Sequence, residues 1–113
     1  MLALWSALKS CIRAGDKVLS ISTGVFGNGI ADMARKIGKA PGVLLELINP
    51  PKGAISEIVA FEYNETAWDF ERIEKAVKDF QPKLVTIVHC ETPSGTLNPI
   101  EEIGSIVHSA GTI

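Results

Sequence analysis

Hydrophobic residues recur along the chain with periods that alternate between those of helices and strands. Two apolar stripes at three- and four-residue spacing predict helices at the start of the chain and from about Gly27: Leu2, Trp5 and Leu8, with Leu4, Cys11 and Ile12 beside them, and then Ile30, Met33, Ala34 and Ile37. A glycine turn in "RAGDK" closes the first helix, and residues 17–22 form a short apolar strand. This part of the chain is predicted as helix, strand, turn and helix.

The alternation continues in the second half of the chain. Residues 58–63 and 84–88 favour strands, Asp69 is placed to cap a helix, and Pro99 suits the first turn of another. The predicted buried stripes of these two helices are Phe70, Ile73, Val77 and Phe80, and Ile100, Ile103 and Val107. After them "SAGTI" turns towards a further strand. In segment 39–57, "GVLLELI" fits either a strand or a buried helical turn, and "NPPKG" a loop.

Alternating helices and nearly continuous apolar strands predict an α/β fold, a three-layer sandwich whose mostly parallel sheet carries helices on both faces. Such sheets bind ligands at the carboxyl ends of their strands. Two loops follow predicted strands there, "STGVFGNG" and "HCETPSG", so we expect them to line one site. The chain starts within a helix and stops as a strand begins. Residues 1–113 are therefore expected to be one partial domain, truncated at both ends.

Composition and charge narrow the function classes. The 113 residues are 46% hydrophobic, enough for a packed core, and the formal net charge of −2 gives no basic face for a nucleic acid. No apolar run approaches the roughly 20 residues that span a bilayer, and no signal peptide follows Met1. We therefore expect a cytoplasmic protein with neither nucleic-acid nor membrane partners. Cys11 and Cys90 are expected to be two buried thiols.

The first loop has some features of a dinucleotide site. Its pattern T-G-x-x-G-x-G is one residue short of a known nucleotide-binding spacing, and Glu46 lies at the distance of a ribose-binding acid. Phe26, however, places a large ring where a pyrophosphate needs bare backbone. A nucleotide-binding oxidoreductase domain stays an alternative, and glycines that merely allow a tight turn are the simpler interpretation.

The second loop suggests three kinds of chemistry, each weakly. His89 and Glu91 lie on one side of an extended segment, but a metal or deaminase site needs further ligands that the sequence lacks. Ser94, His108 and Glu91 would make a triad, but Ser94 is in no nucleophile elbow. Cys90 has no nearby cation to activate it. We assign no catalytic residue and no metal site.

Two further groups of residues have plain structural interpretations. The charges of "DFERIEKAVKD" alternate in sign on the face away from the apolar stripe, as on the solvated side of a helix. Trp5 and Trp68 are expected to be core or interface aromatics.

Taken together, the two loops resemble the class V aminotransferases, which use pyridoxal 5'-phosphate on the fold type I large domain. "RAGDKVLSISTGVFGNGIADMARKIG" resembles the family's strand and N-G-x-[WFY]-G loop, and "LVTIVHCETPSGTLNPIEEIGSIVHSAG" resembles its V-H-x-E-T-S-T-G-x-L-N-P segment. The branch that includes alanine-glyoxylate, serine-pyruvate and 2-aminoethylphosphonate aminotransferases is the most similar. Pro93 and Ser94 depart from the usual Ser-Thr, and segment 39–57 is longer than the family's usual link.

The resemblance implies roles for particular residues. Phe26 would stack on the cofactor's pyridine ring, and Thr92 would hydrogen-bond its 3'-oxygen, whereas His89 and Glu91 would support the loop. It also implies amino acid and 2-oxo acid substrates and a homodimer. The phosphate-binding loop, the aspartate facing the pyridine nitrogen and the Schiff-base lysine would lie outside these residues. This chain alone is expected to be inactive, and a non-catalytic truncated relative stays a second alternative.

Overall fold

The computed structural model describes residues 2–37 and 54–113 of the chain. Its helices over these residues are α1 (Leu2–Cys11), α2 (Val25–Lys36), α3 (Phe70–Phe80) and α4 (Ile100–Ser109). Its strands are β1 (Lys17–Ser22), β2 (Ile55–Ala60), β3 (Leu84–Ile87), β4 (Cys90–Glu91) and β5 (Thr96–Leu97). The predictions for residues 39–53, and the proposed ribose-binding Glu46 among them, lie outside the described residues.

The central sheet is parallel, with strand order β2-β1-β3. Val18 of β1 lies beside Ser56 of β2 on one side and Leu84 of β3 on the other. Beside β3, the N–H of Val85 donates to the carbonyl of Ile113 over 2.8 Å, so the last residue of "SAGTI" lies next to β3, as predicted. Strands β4 and β5 form a separate antiparallel hairpin.

Helices cover both faces of the sheet, because the side chains of β1 alternate between two apolar clusters. Val18 packs with buried residues of α1 and α2, among them Leu8 and Met33. Leu19 and Ile21 point the other way and pack with buried residues of α3 and α4. This confirms the predicted α/β three-layer arrangement around a parallel sheet, since a strand covered on both faces is apolar on both.

Strand β2 and helix α2 begin two or three residues before their predicted starts. Strand β2 covers residues 55–60 instead of 58–63, because all six of its residues pair with β1 and the chain then leaves the sheet at a turn where Asn64 has φ 70°. Helix α2 begins at Val25 instead of Gly27, since the N–H of Asn28 already donates to the carbonyl of Gly24. Phe26 therefore lies in the first turn of a helix.

Several predicted core residues are exposed. Ile100, the first residue of α4, is 41% exposed, and the partly buried Ile106 packs against the α3–α4 cluster instead. Cys11 and Cys90 are both exposed, so the prediction of buried thiols was wrong. Cys90 precedes the buried Glu91 in β4, and neighbouring residues of a strand face opposite ways.

The structure also shows the surroundings of the two tryptophans and of the charged face of α3. Trp5 is partly buried against the α1–α2 cluster, whereas Trp68 is 61% exposed and contacts Phe70 edge-on, so Trp68 is not a core residue of this chain. The exposed ion pairs Lys75–Asp79 and Lys78–Glu74 confirm that the charged face of α3 is its solvated side.

Candidate functional site

The two loops singled out in the sequence lie at the same edge of the sheet. Strand β1 leads through Thr23 and Gly24 into α2, and the neighbouring β3 leads through Val88 and His89 into the β4–β5 hairpin. Because β1 and β3 are parallel and adjacent, both connections leave from the carboxyl edge. The predicted meeting of "STGVFGNG" with "HCETPSG" is confirmed.

The side chain of Glu91 joins the two loops. It is 0% exposed, and its Oε1 accepts a hydrogen bond of 2.7 Å from the N–H of Phe26. Its Oε2 accepts one of 3.3 Å from the N–H of Gly27. The first N–H groups of a helix have no hydrogen-bond partner within it, and they carry partial positive charge. A carboxylate at this position therefore accepts their hydrogen bonds and balances their charge. Glu91 thus caps α2 from a hairpin 65 residues further along the chain.

Glycines make room for this contact. A Cβ atom built on Gly24 would lie 2.5 Å from Cγ of Glu91, so any side chain at this position would displace the carboxylate. A Cβ built on Gly27 would lie 2.9 Å from Cα of Ser22, so α2 approaches the end of β1 closely. These two glycines therefore allow close contact of α2 with Glu91 and with the end of β1.

The hairpin around Glu91 is held by its own backbone. The N–H groups of Ser94 and Gly95 donate to the carbonyl of Glu91 over 3.2 and 2.8 Å, and Gly95 takes φ 72° to close the turn. The hydroxyls of Ser94 and Thr96 share a 2.8 Å hydrogen bond. Thr92 lies in this tight turn, next to the buried Glu91 but exposed itself.

Asn98 is a site residue that the sequence analysis did not single out. It is 2% exposed, and its Nδ2 donates to Oγ1 of Thr23 over 2.9 Å and to the carbonyl of Val88 over 2.8 Å. Its Oδ1 accepts from the N–H of Ala67 over 3.1 Å. One amide therefore joins the ends of β1 and β3 to the loop before α3. A polar residue directly before the proline of a helix start was the available signal.

The structure brings both predicted cofactor-binding residues to this edge. Phe26 is 51% exposed although its N–H is bonded to Glu91, so its ring is presented to the outside of the sheet edge. Thr92 follows Glu91 directly in the chain. The buried side chain of Glu91 therefore connects the backbone beside Thr92 to the N–H of Phe26. The side chain of His89 is exposed, and its carbonyl accepts the N–H of Asn98 over 2.8 Å, which supports the loop through the backbone.

The alternative sites have little support from this geometry. The N-terminus of α2, where a dinucleotide phosphate would bind, already holds the carboxylate of Glu91. The Ser94–His108–Glu91 triad is not assembled, since His108 lies in the last turn of α4 and the chain after it bonds to Pro82, before β3.

Two further features are absent from the described residues. Across residues 2–37 and 54–113, no three His, Cys, Asp or Glu side chains lie close enough together to hold a metal ion. In the same part of the chain, no helix has the length and apolar character needed to cross a membrane.

The proteins with similar sequences are transaminases. No protein-family model matches the sequence. The chain is 32% identical over 104 residues to a 2-aminoethylphosphonate–pyruvate transaminase of Lysinibacillus sphaericus, a match that covers 92% of this chain and 24% of that protein. It is 33% identical over 112 residues to a pyridoxamine–pyruvate transaminase of Mesorhizobium japonicum, covering 98% of this chain and 24% of that protein.

The fold leads to the same group of proteins. The structure superimposes on an alanine–glyoxylate aminotransferase from Nostoc sp. with a TM-score of 0.79 and 25% sequence identity, covering 99% of this chain and 26% of the other. The chain thus spans about a quarter of the length of the proteins that it matches. The sequence relatives and the structural neighbours are class V aminotransferases, and they match nearly the whole of this chain.

Proposed function

We propose that this chain forms one wall of the cofactor site in a pyridoxal-phosphate-dependent aminotransferase, an enzyme that moves an amino group from an amino acid to a 2-oxo acid. The observation that carries the proposal is the hydrogen bond from the N–H of Phe26 to the buried Glu91. That bond joins the two loops that resemble the family's cofactor-binding segments. It leaves an aromatic ring and a hydroxyl exposed at the edge where parallel sheets bind ligands.

The two exposed side chains suit different parts of the cofactor. The half-exposed ring of Phe26 offers a flat face to a heteroaromatic ring, where stacking adds to the gain from burying apolar area. The hydroxyl of Thr92 can donate to or accept from the cofactor's 3'-oxygen. When bound, pyridoxal phosphate supplies the electron sink that amino transfer requires. The residues of this chain bind and orient it.

The described residues fit the ring of the cofactor better than its phosphate. Glu91 accepts from the N–H groups of Phe26 and Gly27, the second and third residues of α2, and a second anion beside that carboxylate would be repelled. We therefore assign ring stacking to Phe26 and no phosphate contact to the start of α2. A dinucleotide, whose pyrophosphate needs the start of α2, is disfavoured for the same reason.

The test is cofactor retention by the complete protein. After incubation with pyridoxal 5'-phosphate and gel filtration, we expect a cofactor absorption band that borohydride reduction abolishes. The protein should then transfer an amino group from an amino acid to pyruvate or glyoxylate, the acceptors named for its relatives. A complete protein that retains no pyridoxal phosphate would overturn the proposal and would favour the non-catalytic relative.

The Phe26→Ala substitution tests the stacking role. Loss of the ring removes both stacking and apolar contact, so we expect the dissociation constant for pyridoxal phosphate to rise about tenfold. Phe26→Tyr keeps the ring and should retain the cofactor. Val25→Ala is the matched control, because Val25 is exposed in the same helical turn. If Phe26→Ala and Val25→Ala left the dissociation constant equally unchanged, Phe26 would have no role in binding.

The homodimer stays a prediction that rests on the family resemblance. The cytoplasmic location stays a prediction that rests on the sequence, which shows no apolar run of membrane-spanning length and no signal peptide after Met1. For the homodimer, the supporting feature is the exposure of large apolar side chains such as Tyr63, Trp68 and Leu97 in this chain. The molar mass of the complete protein in solution, measured by light scattering, tests it.

A further inference from the structure

We propose that Glu91 is a positioning residue that places the cofactor-stacking ring of Phe26 relative to the hydroxyl of Thr92, an inference that rests on the function proposed above. Helix caps usually come from the residue just before the helix. In α2 that residue is Gly24, which has no side chain to offer, and the cap comes from Glu91 in the β4–β5 hairpin. The start of α2 is therefore set by the position of the hairpin.

The two hydrogen bonds define both the position and the orientation of the first turn of α2. Oε1 and Oε2 each accept from a different N–H, on Phe26 and on Gly27, so the carboxyl plane and the helix start are held together in one arrangement. A single hydrogen bond would leave the turn able to rotate about it. Because Glu91 is fully buried, no water competes for these bonds, which makes them stronger than exposed ones.

Thr92 is coupled to the same carboxylate through the chain. It follows Glu91 in sequence, and the backbone carbonyl of Glu91 accepts from Ser94 and Gly95, which fixes the turn that carries Thr92. A shift of Glu91 would thus move the stacking ring and the hydroxyl relative to one another. Since binding groups act best when held in the bound geometry beforehand, the cap should be visible in cofactor affinity.

Glu91→Gln in the complete protein is the direct test. The amide keeps the length of the side chain but offers one acceptor and turns an N–H₂ group towards the second backbone N–H. We expect about a tenfold rise in the dissociation constant for pyridoxal phosphate, the loss typical of one charge-assisted hydrogen bond. The visible circular dichroism of the bound cofactor should change too, because the ring that stacks on it is displaced.

A double-mutant comparison separates positioning from a general loss of stability. If Glu91 acts through Phe26 and Thr92, Glu91→Gln should raise the dissociation constant by less than about twofold when both side chains are already removed by F26A and T92V. An equal, tenfold effect in that background would overturn the proposal. An unchanged dissociation constant and dichroism for Glu91→Gln alone would overturn it as well.

Gly24→Ala approaches the same contact from the other side. Its Cβ would lie 2.5 Å from Cγ of Glu91, so the methyl group should displace the carboxylate and reproduce the weaker binding of Glu91→Gln. Gly29→Ala is the matched control, since a Cβ on Gly29 meets no atom within 4 Å in the described structure. Wild-type affinity in both alanine variants would contradict the proposed role of Glu91.

Amide hydrogen exchange keeps this inference distinct from the proposed function. In the cofactor-free protein, Glu91→Gln should accelerate exchange at the N–H groups of Phe26 and Gly27, while exchange in α3 stays unchanged. Faster exchange together with a wild-type protein that never binds pyridoxal phosphate would refute the function and the positioning role for that cofactor, but not the cap. Unchanged exchange at both N–H groups would refute the cap itself.

Discussion

At the scale of single residues, two buried polar side chains hold the candidate site together. Glu91 and Asn98 are 0% and 2% exposed, and each bonds backbone groups from segments far away in sequence. A buried polar group costs free energy unless its partners are present, so such residues specify one arrangement of the loops. This is why the loops that carry Phe26 and Thr92 meet in a defined way at the sheet edge.

Asn98→Ala should strongly destabilise the folded protein. The substitution leaves the N–H of Ala67 without its partner and removes the donor to Thr23 and Val88, in a place that water does not reach. We expect the free energy of unfolding to fall by about 3 kcal/mol, measured by chemical denaturation. Asn28→Ala is the control, because Asn28 is exposed on α2 and should change the free energy by less than about 0.5 kcal/mol. Equal effects of the two substitutions would show that Asn98 does not hold these segments together.

At the scale of elements, local signals defined the helices better than the strands. The stripe of Ile30, Met33 and Ile37 is buried as predicted, because the period of a helix is set within one turn or two. Strand β2 was misplaced by three residues, because its bounds depend on six pairs with β1 rather than on its own composition. The start of α2 was misplaced for a related reason, since its cap comes from Glu91.

Helix α3 carries a local cap that can be tested. Oδ1 of Asp69 accepts from the N–H of Arg72 over 3.0 Å, as the sequence predicted. Asp69→Ala should lower the free energy of unfolding by about 1 kcal/mol, the usual value of such a cap. Asp79→Ala removes only an exposed ion pair with Lys75 on the same helix and should cost at most about 0.5 kcal/mol. A cost of Asp69→Ala no greater than that of Asp79→Ala would show that the cap contributes nothing.

At the scale of the whole molecule, one carboxylate connects the turn after α1 to the start of β3. Oδ2 of Asp16 accepts from the ammonium of Lys83 over 2.7 Å and from the N–H of Arg13 over 2.8 Å. The hydrogen bond from Lys83, aided by the one from Arg13, holds the pKa of Asp16 below its ordinary value of 3.8. Charged Asp16 therefore favours the folded state.

Asp16→Asn should make the free energy of unfolding depend less on pH in the acidic range. A carboxyl whose pKa is lowered by folding stabilises the protein above its unfolded pKa, and this contribution disappears as the pH falls through the lower, folded value. The wild type should therefore be the more stable protein near neutral pH, and the difference should shrink once the pH drops below 3.8. Urea denaturation at several pH values measures this difference in the free energy of unfolding. Asp32→Asn is the control for lost surface charge, because Asp32 forms an exposed ion pair within α2. A difference that stays constant across this range would contradict the assigned role of Asp16.

The amino-acid sequence by itself determined the α/β architecture and the resemblance to the class V aminotransferases, because apolar periods and loop motifs are local properties of the chain. Only the tertiary structure decided that Glu91 caps α2, that Asn98 ties three segments together and that Cys11 and Cys90 are exposed. These features join residues up to 75 positions apart or depend on which way a strand faces. Strand register and layer packing set such relations, and both arise only when the elements assemble.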